Sequence, residues 1–506
     1  MNEASRRWII TSFLNKVNSV PHRVAVQDAQ RKYSYVEFFA LVMHLYQHLK
    51  ESNAKKPVGL YSGREITSYA GMWACIFHGV PFVPLNPALP KQRIETIIDL
   101  LDIKHILCHT NKISQAKGLS CAAQCFDIEP STLTVDELPQ FELATLSGLI
   151  QNNIYILFTS GSTGVPKGVP ISYKNFKTFL ENAFSQLPYL DNGRYAQVCE
   201  ISFDVSMQEI FAALLNGGTL FPARSIDLFN PINFIQQNSI AVLHAVPSLI
   251  RVGMKNPAFK PSCFSTLKLS IFNGEPLTRS MALTWVAASE SQHEVWNYYG
   301  PTECTVAILS QKVQQHDDLM FDKNNIAIGR VFDKCSLALL VDGNIVCAAD
   351  LDNNMTGELL LGGQQQFDGY LKNTGEDPFI FDADETRYYK TGDRVKYKNK
   401  LIFHIGRIDY QVKVGGHRIE LMEVEHHLKS ALETEALVVL AMPISSPEYL
   451  ILCVQKHTNL SEIKRASPNL PYYMMPKKVM RIDQFPLNQN GKVDRPALAS
   501  TMSERI

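Results

Sequence analysis

The feature that most constrains this chain is a junction. The apolar run Ile154–Phe158 passes directly into Thr159-Ser160-Gly161-Ser162-Thr163-Gly164-Val165-Pro166-Lys167-Gly168. A run of this length, bounded by turn residues, reads as a buried strand. In the segment after it, glycines let backbone N–H groups close on an anion, hydroxyls add donors, and Lys167 adds positive charge. The spacing is not that of the Walker loop, where four residues separate the first glycine from Gly-Lys-Ser/Thr. A nucleoside triphosphate site of another kind is implied. The plainer alternative is a flexible Ser/Gly turn. Ordinary turns rarely gather so many glycines and hydroxyls with a lysine directly after a buried strand.

The rest of the chain suits such a junction. Short β-branched or aliphatic runs (Val24–Gln27, Val58–Tyr61, Ala241–Ala245, Leu267–Asn273) alternate with amphipathic stretches such as Tyr35–Leu49 and Lys91–Leu101. This alternation predicts α/β layers with largely buried strands, and ligand sites at the turns that follow them. The character changes near Arg407. Leu401–Val414 reads as two short strands around a turn, followed by Gly415-Gly416, a helix over Leu421–Ala431, and strands at Ala436–Ala441 and Tyr449–Gln455. The expected organisation is a large multi-layered α/β domain over 1–408 with a small α+β domain over 409–506.

Length and charge narrow the function. At 506 residues two or more domains are expected, and the core needs no disulfide staples. Forty-nine basic residues balance forty-nine acidic ones, which argues against a nucleic-acid binder. Ten cysteines are scattered, and the closest pair, Cys121 and Cys125, lacks partners for a zinc site. Unpaired thiols in a reducing cytosol are expected. The N-terminus lacks the apolar core and cleavage site of a signal peptide, and no apolar stretch is long enough to span a membrane. A cytoplasmic monomer is the expectation.

Downstream of the loop come Asn297-Tyr298-Tyr299-Gly300-Pro301-Thr302-Glu303, Gly357-Glu358-Leu359, Tyr389-Lys390-Thr391-Gly392-Asp393 and Gly406-Arg407-Ile408-Asp409. Then follow Gly416-His417-Arg418-Ile419-Glu420 and Asn490-Gly491-Lys492-Val493-Asp494-Arg495. In order and spacing these resemble the adenylate-forming superfamily: acyl-CoA synthetases, luciferases and the adenylation domains of nonribosomal peptide synthetases. The likeness extends over nearly the whole chain.

The resemblance implies an ATP-dependent ligase that joins a carboxylate to the α-phosphate and releases pyrophosphate. Such a site neutralises charge and aligns reactants. By resemblance, Thr159, Ser160, Gly161, Ser162, Thr163, Gly164 and Lys167 cradle the phosphates. Glu303 is the Mg2+ ligand, suited by its hard oxygens, and Thr302 bonds the α-phosphate. Tyr299 stacks on adenine, Asn297 bonds its exocyclic edge, Asp393 accepts the ribose hydroxyls, and Arg407 adds charge. Lys492 bridges the adenylate phosphate and the substrate carboxylate, as a mobile point charge can. Asp409 is the hinge about which the small domain turns between an adenylating and a thiol-transferring pose, the second bringing Gly415-Gly416 towards the thiol.

Within Phe203-Asp204-Val205-Ser206-Met207-Gln208-Glu209, Asp204 matches the aspartate that pairs with a substrate α-ammonium in the amino-acid-activating branch. A buried carboxylate needs a cationic partner. The plainer alternative is an N-cap for a helix over Ser206–Leu215. Val205, Gln208, Ser248, Ile271, Asn273, Tyr298, Val306 and Ala307 match the remaining pocket positions. Val205, Gln208, Ile271 and Val306 are similar to those of proline-activating domains, while Asn273 and Tyr298 depart from that pattern. L-proline is therefore the leading expectation, with D-alanine or another small amino acid the alternative. An acyl- or aryl-CoA ligase is the rival class, and a catalytically silent binding protein is another. The chain ends eleven residues after Arg495, so a separate phosphopantetheinylated carrier protein is the expected acceptor, as in nonribosomal peptide synthesis or another secondary-metabolite route.

Overall fold

A computed structural model of the chain describes residues 1–119, 124–128, 141, 143, 146, 148–159, 166–289, 292–314, 317–322, 325–371, 377–434, 436–444, 446–455, 458–487 and 493–506, with backbone alone at 127 and 128. Ser160, Gly161, Ser162, Thr163, Gly164 and Lys492 lie outside the described residues, as does Cys121. The structure is a mixed α/β protein with a larger and a smaller compact unit. The larger comprises Met1–Pro87, Ile94–Phe158 and Gly168–Gly406; the smaller comprises Ala88–Arg93, Thr159–Lys167 and Arg407–Ile506.

Three sheets organise the larger unit. The first has nine strands, in the spatial order Arg330–Val331, Leu309–Lys312, Glu294–Tyr299, Leu269–Phe272, Val242–Ala245, Arg194–Gln197, Thr219–Pro222, Val24–Gln27 and Lys32–Ser34. Its central strands are parallel and its outermost pairings antiparallel. Val242–Ala245 and Leu269–Phe272 are buried along their whole length, as parallel strands covered on both faces must be. The second sheet runs Gln124–Ile128, His105–His109, Val58–Tyr61, Phe82–Pro84, Asn153–Thr159, Lys167–Ser172. The strand expected before the phosphate loop is therefore present, and Thr159 is its last residue.

Local chemistry starts the helices. Ser34 and Glu37 form a reciprocal capping box for Tyr35–Glu51, and Ser172 with Asn175 does the same for Tyr173–Gln186. Ile66–His78 is buried on every side and stops at Gly79, whose φ of +87° ends the helix without a Cβ clash. Phe13 stacks on Trp73 of that helix at 4.1 Å between ring centroids. Apolar all-round character marks a helix enclosed by other elements.

The third sheet is a meander built on Cys335–Val341, Thr356–Gly363 and Arg387–Lys398, antiparallel throughout, with Leu401–Arg407 against the last. Between the pairs Glu358–Arg394 and Leu360–Lys390, one residue faces three: Thr391, Gly392 and Asp393. This bulge, with Gly392 at φ +71°, re-aims the strand.

In the smaller unit Leu437–Met442 and Tyr449–Val454 form an antiparallel pair, with Lys478–Arg481 parallel to the second. The helix Leu421–Leu432 packs on them through Val424 and Leu428. The two short strands expected around a turn in Leu401–Val414 are Leu401–Arg407 and Gln411–Val414; they belong to different sheets, Gln411–Val414 pairing with His417–Glu420. Among the described residues every cysteine is free, and no helix is long and apolar enough to cross a membrane.

Candidate functional site

The bulge decides where Asp393 sits. The hydroxyl of Thr391 donates to the Leu359 carbonyl at 2.7 Å and accepts from the Asp393 N–H at 3.0 Å. The Gly392 N–H donates to Glu358 Oε1 at 2.9 Å, which gives the Gly-Glu-Leu motif a structural task. Asp393 is buried, its Oδ2 taking the Tyr299 hydroxyl and its Oδ1 lying 3.0 Å from His404 Nε2. Two expected nucleotide residues, Tyr299 and Asp393, are thus brought into direct contact. His404 could not be singled out from sequence, since a lone histidine on a strand carries no motif.

Beyond Tyr299 the chain turns sharply. Thr302–Cys304 is a 3-10 turn, and Glu303 within it is fully buried. Its Oε1 accepts the Tyr370 hydroxyl at 2.6 Å, and its carbonyl accepts the Phe367 N–H at 2.8 Å. Tyr370, which sequence did not flag, thus holds one carboxylate as Tyr299 holds the other. Asn297, on the strand leading in, donates its amide to the Ala327 carbonyl at 2.9 Å. That orientation leaves the amide oxygen as the acceptor, the polarity an exocyclic amine requires.

Thr305 and Val306 follow at φ +61° and +66°, uncommon values for β-branched residues. The Ala307 N–H reaches back to the Thr305 carbonyl at 2.8 Å, so Val306 centres a γ-turn of positive φ, a rare and strained form. Asn273 donates to the Val306 carbonyl at 3.0 Å and accepts the Gly274 N–H at 2.6 Å. Expected as a pocket-facing group, its amide holds backbone at both ends.

Among the other pocket candidates, Val205 and Gln208 lie on the helix Val205–Leu215. Asp204 occupies the N-cap position of this helix, but its side chain makes no capping hydrogen bond. Its charge adds to burial in raising the pKa of Tyr155. Val205, Gln208, Ile271, Tyr298, Val306 and Ala307 are all buried, and Ser248 is half-buried with its N–H on Glu275 at 2.7 Å. Gln208 Nε2 donates to the Tyr189 hydroxyl at 3.0 Å, which lies 3.2 Å from His244 Nε2. His244 pairs in register with Ile271, and burial pushes its pKa down to about 3. Gln208 Oε1, His244 Nδ1 and the Tyr298 hydroxyl are buried without a hydrogen-bond partner among the described residues.

In the smaller unit Arg407 grips Asp409 through two 2.6 Å bonds. Asp494 caps Arg495–Arg505, and Arg495 pairs with buried Glu425 at 2.5 Å. Lys167 opens the strand Lys167–Ser172. Among the described residues no group of three or more His, Cys, Asp or Glu side chains is arranged to hold a metal ion.

A family model described as AMP-binding enzyme matches residues 13–371. The D-alanine–D-alanyl carrier protein ligase of Staphylococcus epidermidis is 30% identical over 501 residues, covering 96% of this chain and 98% of that protein. The ligase of the same name from Lactococcus lactis subsp. lactis is 28% identical over 499 residues, covering 95% and 96%. Among solved structures, the Vibrio cholerae adenylation domain AlmE in complex with glycyl-adenosine-5'-phosphate shares the fold with a TM-score of 0.88 at 24% identity, over 98% of each chain. The amide bond synthetase McbA from Marinactinospora thermotolerans matches at 0.82 and 17%, over 97% of this chain and 99% of its own.

Proposed function

The chain belongs to the AMP-binding enzymes as an ATP-dependent, AMP-forming ligase, and from that premise we propose that it activates a small amino acid, D-alanine first, for transfer to a separate carrier protein's phosphopantetheine thiol. The observation that carries this reading is the matched pair of carboxylates in the larger unit. Asp393 and Glu303 are both buried, and each accepts a tyrosine hydroxyl, from Tyr299 and Tyr370. Two such anions suit a nucleotide's ribose hydroxyls and a hard cation.

Asp393 orients the ribose in this mechanism, and Asn297 and Tyr299 hold the adenine. Thr302 donates to the α-phosphate. Glu303 fits magnesium, because that ion is usually held by one or two carboxylates plus substrate phosphates rather than by a protein cage. When bound, it supplies neutralisation of phosphate charge. Lys167 and the loop 160–164 add donors to the phosphates. Attack of the amino acid carboxylate oxygen on the α-phosphorus forms the new P–O bond and breaks the bond to pyrophosphate. Lys492 neutralises charge on both reacting groups, and Asp204 takes the α-ammonium.

D-alanine replaces the expectation of proline. The two carrier protein ligases named above support that choice, and so does the pocket. Asn273, whose amide is committed to backbone, and Tyr298, a buried phenol, are the two positions that depart from the proline-activating pattern. Pyrophosphate exchange with both enantiomers of alanine, and with glycine, serine and proline, tests the reading. D-alanine is expected to give the fastest exchange. Fastest exchange with proline would overturn the substrate, and CoA thioester formation from fatty or aryl acids without amino-acid-dependent exchange would overturn the class.

A further inference from the structure

Five consecutive carbonyls, from Glu303 to Ala307, sit in a fully buried segment, and every one has a donor. Glu303 is served by the Phe367 N–H, Thr305 by the Ala307 N–H, and Val306 by Asn273. The others depend on one side chain. Gln365 Nε2 lies 2.7 Å from the Ala307 carbonyl, 3.3 Å from that of Cys304 and 3.4 Å from that of Thr305. Its own carbonyl oxygens are used as well: Oε1 accepts Asn182 Nδ2 at 2.9 Å, and the backbone oxygen accepts the Thr305 hydroxyl at 2.7 Å. Gln365 has no exposed surface.

We propose that Gln365 is a positioning residue for adenylation. It pins the strained turn Thr305–Ala307, which joins Thr302 and Glu303 at the phosphate end to Val306 and Ala307 at the amino-acid end. The proposal rests on the function assigned above to those four residues. Strain of this kind persists only where surrounding bonds over-determine the backbone. Here the constraint comes from three directions. Asn273 holds the middle of the turn, Gln365 holds both ends, and Gly300 closes the third side, where a Cβ would lie 2.6 Å from the Ala307 Cα. Asn182, also bonded to the Asp333 carbonyl at 3.0 Å, fixes the Gln365 amide so that its N–H groups, not its oxygen, face the turn. Without that amide, two carbonyls lose a buried donor. The γ-turn then gains reason to relax towards negative φ, carrying Glu303 and the pocket wall with it. A displacement near 1 Å at a reacting site costs on the order of a hundredfold in rate.

The test compares Gln365→Met, which keeps length and removes the amide, with Gln366→Met. Gln366 is buried beside it, but its amide donates to the Leu361 carbonyl and accepts Arg387 Nε, with no hydrogen bond to the turn among the described residues. Gln365→Met is expected to lower kcat for amino-acid-dependent pyrophosphate exchange by about ten- to a hundredfold. It should also raise the Mg2+ concentration for half-maximal rate and speed hydrogen exchange in the peptide spanning 300–308. Gln366→Met should leave all three within twofold. Unchanged hydrogen exchange at 300–308 with kcat within twofold, or equal losses in both variants, would overturn the proposal. Should Gln365→Met fail to fold, Asn182→Ala decides it. The same three shifts, smaller in size, support the role, and their absence in a folded protein overturns it. Wild-type protein without amino-acid-dependent exchange would instead overturn the assigned function, leaving hydrogen exchange to judge the turn.

Discussion

The two ends of the proposed site are built on different rules. At the nucleotide end the described groups are held by named partners: Asp393 by Tyr299 and His404, Glu303 by Tyr370, the turn after it by Asn273 and Gln365. At the amino-acid end Gln208, His244 and Tyr298 each carry a buried polar atom with no hydrogen-bond partner among the described residues. Satisfied networks rigidify, whereas an unmatched buried polar group costs about 1–3 kcal/mol. The contrast fits a division of labour in which the adenylating chemistry is held fixed and selectivity is left to groups that can be changed singly.

The sharpest way to break that contrast is at the lysine proposed to be catalytic. Lys492→Ala is expected to lower exchange by roughly a hundred- to a thousandfold while ATP and amino acid still bind, as followed by calorimetry. Near-normal exchange would remove its assigned role. Tyr370→Phe frees Glu303 from its hydroxyl and is expected to lower kcat about tenfold, with a raised Mg2+ requirement. A loss confined to KM for the amino acid would instead assign Tyr370 to the pocket. Tyr298→Ala probes the other end. It should change the order of preferred amino acids in favour of larger side chains, at a cost of only severalfold in the best kcat. An unchanged order would mean that Tyr298 does not bound the pocket.

The smallest effect concerns pH. Burial lowers the His244 pKa from 6.5 to about 3, so below pH 6.5 the unfolded chain takes a proton that the folded one refuses. Stability is therefore present above pH 6.5 and is lost as pH falls from there towards 3. Between pH 7 and 5 this histidine accounts for up to about 2 kcal/mol. Denaturant titrations at the two pH values should show a smaller loss in His244→Gln than in the wild type.

Much of the scaffold is legible in the sequence because its strands are short apolar runs with clear stops. Val24–Gln27 and Val58–Tyr61 are found with the bounds expected of them, and Tyr35–Leu49 extends only to Glu51. What escapes is pairing. Leu401–Arg407 and Gln411–Val414 are both strands, but nothing local says that they join different sheets. The same holds for the candidate site. Tyr299, Glu303 and Asp393 stand in motifs and can be named. Tyr370, His404 and Gln365 act by meeting residues distant in sequence, and no spacing announces such a meeting. For Asn273 the position is legible but not the partners its amide holds, because direction of a side chain is not a property of its neighbours in sequence.

The bulge at Thr391–Asp393 carries one more consequence, for how this site is lost or kept in descent. Strand side chains alternate with a period of two, so a one-residue deletion at Gly392 would turn Asp393 to the opposite face while leaving its identity intact. Substitutions on either side leave that parity alone. The segment should therefore tolerate changes of letter far better than changes of length, and on the role proposed for Asp393 a gap there in any related chain would mark the loss of its ribose contact.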